Sequence, residues 1–157
     1  MKKVSVLMGS EKDLPIMAKA AEMLERFGVP NDVLVVSAHK TLDRALEYAD
    51  GAAADGVGII IAGAGKAAHL AGVMAGRTTL PVIGVPLSAS LDGLDALLAT
   101  VQMPTGIPVA TVAVDGATNA ALLAVAILAL EDESLAKALT AYREVLAEKT
   151  FREVHRG

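Results

Sequence analysis

The chain has 157 residues, of which 54% are apolar and 20% are charged, and its formal net charge is −4. This length is usual for one domain, so we expect a single domain over residues 1–157. The acidic balance, without a cluster of lysines and arginines, argues against a nucleic-acid-binding surface. Because the chain has no cysteine, disulfides, thiolate metal sites and cysteine nucleophiles are excluded, which fits a reducing compartment.

Targeting to a membrane is not predicted either. The apolar run at residues 4–8 is too short for a signal-peptide core, and no small-residue cleavage site follows it. The longest apolar run, residues 120–130, is well short of the roughly 20 residues that span a bilayer. We therefore expect a cytoplasmic protein with neither a membrane nor a nucleic acid as its partner.

Short β-branched runs alternate with helical patterns along the chain. The candidate strands are residues 4–8, 33–36, 57–62, 81–85 and 109–114. Between them, residues 13–27 and 41–54 place apolar side chains on one helical face, and Gly28 and Gly56 end these helices. Alternation of this kind predicts parallel strands joined by right-handed crossovers. The expected fold class is therefore α/β, a three-layer α/β/α sandwich around a doubly wound sheet of about five strands.

Two further helices are predicted in the last third of the chain. Residues 132–149 form an extra C-terminal helix with an Asp or Ser cap, followed by a frayed tail in which His155 has no assigned role. Residues 119–130 are apolar nearly all round, so other parts of the protein must bury this helix. One sheet face is a small cover for it, and a subunit interface is the second cover that we expect.

In open α/β sheets the ligand binds outside the carboxyl ends of the strands. In this sequence the loops at those ends contain two of the three histidines and several small hydroxyl side chains. The loops after the first four strands are residues 8–13, 37–41, 63–69 and 86–90. This concentration of polar groups predicts a site for a phosphorylated, anionic small molecule.

Two of these loops have both a structural and a binding interpretation. Gly9-Ser10 serves as a turn and helix cap, and the same hydroxyl and backbone N–H groups can hold a phosphate. Asp13 either complements the helix dipole or accepts hydrogen bonds from two ribose hydroxyls. Gly63-Ala64-Gly65 permits positive φ and close approach to a ligand, and a tight strand-to-helix turn requires the same freedom.

His39 is the candidate reacting residue. Beside it, Ser37 supplies a phosphate-binding hydroxyl and Lys40 a cation, and a histidine ring takes and gives a proton near neutral pH. His69 is either a second polar wall of the site or a residue of a helical first turn. A metal site made of His39, His69 and Asp13 is not predicted, because no pair of ligands has metal spacing.

Taken together, these segments resemble the PurE family, whose members place the carboxylate on the imidazole of aminoimidazole ribonucleotide in purine synthesis. The resemblance runs from about Lys3 to Tyr142, and its specificity lies in the ordered set of motifs. The motifs are Met8-Gly9-Ser10 with Asp13, Ser37-Ala38-His39-Lys40-Thr41, Ala62-Gly63-Ala64-Gly65 with Ala67-Ala68-His69-Leu70, Leu80-Pro81-Val82-Ile83-Gly84-Val85-Pro86, and Gly93-Leu94-Asp95 with Val101-Gln102-Met103-Pro104.

The resemblance implies a flavodoxin-like sheet, a homo-octamer and a ribonucleotide substrate, with neither cofactor nor metal. Ser10 and Ser37 match positions that hold the phosphate, and Asp13 matches the position that holds the ribose hydroxyls. His39 matches the catalytic acid/base. The other positions matched to substrate binding are Gly9, Lys40, Ala64, Gly65, Lys66, His69 and Met103, the last contributed by the same subunit or by a neighbouring one.

Two residues bear on the branch within the family. The mutase branch moves a carboxylate from the exocyclic nitrogen to ring carbon 4, whereas the other branch carboxylates aminoimidazole ribonucleotide with free carbon dioxide. Residues 63–70 and 81–86 follow the mutase branch, which is the branch that we expect. Lys40, where that branch usually has arginine, follows the carboxylase branch. Lys66 replaces a usual glycine, and it either contacts the substrate carboxylate or is a solvated lysine at a helix start.

Two other classes that share this fold match less well. A receiver-type signalling domain needs an acidic pair after the first strand and a phosphorylatable aspartate after the third, where this chain has Gly9-Ser10 and Gly63-Ala64. A flavin-binding electron carrier needs aromatic side chains in the loops. The two phenylalanines and two tyrosines of this chain lie elsewhere, at Phe27, Tyr48, Tyr142 and Phe151.

Overall fold

The computed structural model describes residues 1–152 and residue 154, so His155 lies outside the described residues. Its five strands are β1 (Lys3–Met8), β2 (Asn31–Val35), β3 (Val57–Gly65), β4 (Val82–Leu87) and β5 (Ala110–Thr111). Its six helices are α1 (Leu14–Arg26), α2 (Leu42–Ala52), α3 (Leu70–Arg77), α4 (Leu94–Val101), α5 (Ala117–Leu128) and α6 (Glu133–Thr150). All strand pairs are parallel, in the order β2-β1-β3-β4-β5. The predicted doubly wound α/β fold is confirmed.

Helices cover both faces of the sheet, as the three-layer prediction requires. Val6 and Met8 of β1 point into a core shared with α1 and α5, with α6 packed on α5. Leu7, between them, points to the opposite core with α2 and α3, because successive side chains of a strand face opposite sides. Helix α4 packs against β4 on this second side. The central strands are buried on both faces and lack polar alternation for that reason.

The third strand is longer than its β-branched run indicates. Gly63, Ala64 and Gly65 continue β3 and pair with residues 85–87 of β4, so placing them in the following loop was wrong. Pairing with β4 extends the strand beyond what local residue preferences show. Gly63 faces the Met17 side chain of α1, leaving no space for a Cβ. The positive φ expected in this glycine segment falls on Lys66, at 54°.

Other element boundaries also depend on tertiary pairing. Only two residues of the fifth predicted run, those of the edge strand β5, pair with β4 in regular register. Beyond them the chain diverges from β4, to which it remains joined by hydrogen bonds from the Val112 N–H to the Gly84 carbonyl and from the Asp115 N–H to the Pro86 carbonyl. The helices α3 and α4 were not predicted individually. Each has eight residues, and α3 contains two glycines, so neither shows a strong apolar period.

The apolar helix α5 is largely covered within the chain. It packs against α1, β4 and α6, and its one exposed large apolar side chain is Leu123, at 36%. A more exposed apolar stripe lies on α4, where Leu94, Leu98 and Val101 are exposed at 55%, 47% and 47%. Among the described residues, no helix is long and apolar enough to cross a membrane.

Candidate active site

A pocket of about 650 Å³ opens at the carboxyl ends of β1 to β4. The sheet order reverses between β1 and β3, because the connection from β1 leads to β2 on one side and the later strands lie on the other. This is the topological switch point at which open α/β sheets bind ligands. Three lysines and one aspartate line the pocket, which gives it a local positive charge within an acidic chain.

The β1 loop contributes Ser10 and Asp13. The Ser10 hydroxyl accepts a hydrogen bond from the Lys12 backbone N–H at 3.3 Å and caps a short 3-10 turn, so its own proton is free to donate into the pocket. Asp13 precedes α1 and makes no side-chain cap bond to that helix. Partial burial raises the pKa of the Asp13 carboxyl, and a backbone hydrogen bond from Ser10 opposes that rise.

The β2 loop is held in one conformation by its own hydrogen bonds. The Ser37 hydroxyl accepts the backbone N–H groups of His39 at 3.3 Å and Lys40 at 3.1 Å. The Thr41 hydroxyl accepts the Ser37 N–H at 2.9 Å and donates to the Ser37 carbonyl at 3.1 Å. These bonds restrict where the His39 ring and the Lys40 ammonium project, which favours a preorganised site.

The two pocket histidines meet across the sheet. Nε2 of His39 and Nδ1 of His69 are 2.6 Å apart, and the rings are perpendicular with centroids 4.8 Å apart. One of these nitrogens must donate the shared proton and the other accept it. His69 is also the residue that precedes α3, so both interpretations of it hold. The pair places an exchangeable proton between the β2 and β3 loops that line the pocket.

The far wall is formed by the ends of β3 and β4. The absence of a side chain at Gly65 lets Ala89 pack closely against β3, since a Cβ on Gly65 would lie 3.1 Å from the Ala89 Cβ. The Ser88 backbone N–H donates to the Asp115 carboxylate at 2.9 Å, and Asp115 itself has a positive φ of 57°. On this side of the pocket, two residues thus have backbone conformations that L-residues disfavour: Lys66, which lines the pocket, and Asp115, which is hydrogen-bonded to Ser88 of the lining.

The structure brings nearly all the predicted site residues together. The pocket is lined by Gly9, Ser10, Asp13, Ser37, His39, Lys40, Ala64, Gly65, Lys66 and His69. Met103 is absent from this lining and lies over α3, where a Cβ on Gly72 would be 3.2 Å from its sulfur. Sequence reasoning missed Lys12, Ser88 and Ala89, although all three belong to the strand-end loops. The described residues contain no group of three or more side chains suited to hold a metal ion.

Known proteins with similar sequences carry related activities in their names. A protein of Pyrococcus horikoshii named N5-carboxyaminoimidazole ribonucleotide mutase is 52% identical over 98% of this chain and 87% of its own length. A chloroplastic phosphoribosylaminoimidazole carboxylase of Vigna aconitifolia is 55% identical over 94% of this chain, which corresponds to 27% of that longer protein.

The fold and the family assignment agree with these similarities. The crystal structure of Treponema denticola PurE superposes with a TM-score of 0.85 at 34% identity, over 93% of this chain and 92% of that one. Residues 3–149 match the family described as AIR carboxylase. The resemblance inferred from the ordered motifs is thereby confirmed, and the chain belongs to the AIR carboxylase, or PurE, family.

Proposed function

We propose that this chain is an N5-carboxyaminoimidazole ribonucleotide mutase of purine biosynthesis. The observation that carries the proposal is the His39–His69 pair in the lining of a positively charged pocket, in a chain 52% identical to a named mutase. A proton-sharing pair suits a reaction that gives a proton to one atom of the substrate and removes one from another.

Anchoring of the substrate is assigned to the loops after β1 and β2. Ser10 and Ser37 donate hydroxyl hydrogen bonds to the phosphate, and Lys40 adds a positive charge beside Ser37. Asp13 accepts hydrogen bonds from the ribose hydroxyls, which requires the carboxylate form. Gly9 allows close approach of the nucleotide to the backbone, because a Cβ there would meet nothing within 4 Å, and Ala64 and Gly65 line the pocket beside the nucleotide. His69 orients the His39 ring through their shared hydrogen bond.

His39 performs both proton transfers. It gives a proton to the exocyclic nitrogen as the bond from that nitrogen to the carboxylate carbon breaks, releasing carbon dioxide within the pocket. Carbon 4 of the imidazole then attacks the carbon dioxide and forms the new carbon–carbon bond. Neutral His39 removes the proton left on carbon 4, which restores the aromatic ring. The proton balance closes on one residue, so the mechanism requires no cofactor and no metal.

The protein is proposed to be a cytoplasmic homo-octamer. The apolar stripe of α4, Leu94, Leu98 and Val101, supports association, because exposed apolar side chains repeated along one helix face are stabilised by burial against another surface. Contribution of Met103 to a neighbouring subunit's pocket belongs to the same proposal. Size measurement in solution, by light scattering, tests the octamer directly.

Direct carboxylation of aminoimidazole ribonucleotide is the second candidate function. Lys40 favours it, since the mutase branch usually has arginine there, and the plant carboxylase is 55% identical to this chain. A lysine is a point charge without the bidentate fork of arginine, so phosphate contact persists with less directional control. Rates measured separately with the N-carboxylated nucleotide and with aminoimidazole ribonucleotide plus bicarbonate distinguish the two. Faster turnover of the second pair at low carbon dioxide would overturn the mutase assignment.

The role of His39 is tested by His39→Asn. Asparagine keeps a polar side chain of moderate size but cannot exchange a proton near neutral pH, so turnover should fall by at least about 10³-fold, near the usual contribution of acid–base catalysis. Circular dichroism and light scattering should show unchanged folding and assembly. Substantial activity in a folded variant would remove His39 from the mechanism.

A further inference from the structure

We propose that Lys66 binds the carboxylate of the substrate, at the end of the pocket opposite the phosphate. This inference rests on the proposed function and deepens it. Glycine is usual at this position in the mutase branch, so the assignment concerns a feature particular to this chain. It also decides between the two roles that the sequence leaves open for Lys66.

The backbone at Lys66 provides the first argument. Its φ of 54° lies in the left-handed region, where an L-residue is disfavoured and glycine is not. The turn is fixed on its far side by bonds from the Ala68 N–H to the Lys66 carbonyl and from the His69 N–H to the Ala67 carbonyl, both 2.9 Å. The chain therefore keeps a side chain where the turn favours none, as is typical of functional sites.

The charge of Lys66 provides the second argument. None of the three ion pairs among the described residues includes Lys66. The nearby carboxylate of Asp95 is already engaged by the Ser90 hydroxyl at 2.5 Å and the Ala96 N–H at 2.9 Å. The Ser90 bond is the main cause of the lowered pKa of Asp95, and the Lys66 charge adds to it. The ammonium thus lies within electrostatic range of Asp95 and remains available to an anion.

The position of Lys66 provides the third argument. Lys40 follows β2 and Lys66 follows β3, with β1 between them in the sheet. Neighbouring strands are about 4.8 Å apart, so the two loops are separated by about 10 Å. A nucleotide has its phosphate and its base on opposite sides of the ribose. With the phosphate at Ser10, Ser37 and Lys40, the carboxylated base extends toward His69 and Lys66.

The chemistry predicts a specific kinetic effect. Substrate and product both carry a carboxylate, whereas the carbon dioxide formed between them is neutral. An ammonium therefore stabilises the bound ground states at least as strongly as the transition states that flank carbon dioxide. Loss of the charge should therefore raise KM and should not lower kcat.

Calorimetric binding of two nucleotides tests the proposal. One is 4-carboxy-5-aminoimidazole ribonucleotide, and the other is 5-aminoimidazole ribonucleotide, which differs from it only in lacking the carboxylate. In Lys66→Gln the Kd of the carboxylated nucleotide should rise about tenfold, as expected for one charge-assisted hydrogen bond in an open pocket, while that of the other changes less than twofold. Lys66→Arg keeps the charge and should bind both like the parent.

Lys66→Gly separates charge from backbone. It removes the charge and also suits the positive φ, so it should show the same selective loss as Lys66→Gln. Equal weakening of both nucleotides in Lys66→Gln would assign Lys66 to the phosphate, and no change in either would make it a solvated lysine; each result overturns the proposal. A loss in Lys66→Gly alone would indicate a backbone effect and would overturn it as well. Absence of turnover in the parent protein would instead contradict the proposed function.

Discussion

The hydrogen bond between Ser5 and Tyr48 joins strand β1 to helix α2. Removing the Tyr48 hydroxyl should destabilise the protein more than removing the Ser5 hydroxyl. Ser5 is fully buried, with 0% of its surface exposed, and its hydroxyl lies 2.5 Å from the Tyr48 hydroxyl. Tyr48 is only half-buried and lines an open pocket beside β2. Loss of the tyrosine hydroxyl leaves the buried Ser5 hydroxyl without a hydrogen-bond partner. Loss of the serine hydroxyl instead leaves the Tyr48 hydroxyl, which water can reach.

The free energies follow from this asymmetry. Tyr48→Phe leaves the Ser5 hydroxyl without a partner and should lower the free energy of unfolding by about 2 kcal/mol, within the range of about 1–3 kcal/mol for a stranded buried polar group. Ser5→Ala should cost less than about 1 kcal/mol. In the Ser5→Ala background, Tyr48→Phe should be nearly neutral, so the double-mutant cycle should show a coupling of about 2 kcal/mol.

Urea unfolding followed by circular dichroism measures these differences. All variants are compared at one protein concentration, because association shifts apparent stability. Neither residue lines the candidate active site, so turnover at a temperature where the variants are folded should be that of the parent. A Tyr48→Phe cost below about 0.5 kcal/mol, or an equal cost with and without the Ser5 hydroxyl, would refute the reasoning.

Two further predictions concern the pocket and the sheet. Burial raises the pKa of the Asp13 carboxyl above 3.8, so the folded protein keeps the carboxyl proton to higher pH than the unfolded chain does. The contribution of Asp13 to the free energy of unfolding therefore falls as pH rises from its unfolded pKa through its folded pKa. Asp13→Asn should therefore increase stability at pH 7 but not at pH 3, and weaken nucleotide binding; lower stability at pH 7 would contradict the burial argument. Gly84→Ala should lower the free energy of unfolding, measured by thermal unfolding, by about 1–3 kcal/mol. The new Cβ would overlap the Thr100 methyl and lie 2.9 Å from the Val109 side chain. Gly76→Ala, in open space on α3, is the matched control and should raise stability by up to about 1 kcal/mol.

Much of the architecture could be predicted from local sequence patterns. The β-branched runs placed β1 to β4, and the apolar period with a terminal glycine placed α1, because these patterns report burial along a single element. Since the carboxyl ends of parallel strands share one edge of the sheet, the loops containing Ser10, Ser37 and His39 could be assigned to one site before any distance was known. Ordered motifs extended this to the family.

Other features depend on strand order and register, which no local pattern encodes. The meeting of His39 and His69, 30 residues apart, requires β2 and β3 to flank β1 with their ends level. The extension of β3 through Gly65 results from pairing with β4, and it moves the left-handed turn onto Lys66. The sequence by itself thus predicted most of the elements, although not α3 and α4, and it predicted which loops line the pocket, since those features depend on neighbouring residues. Only the tertiary structure decided which side chains meet, because packing between distant segments sets those distances.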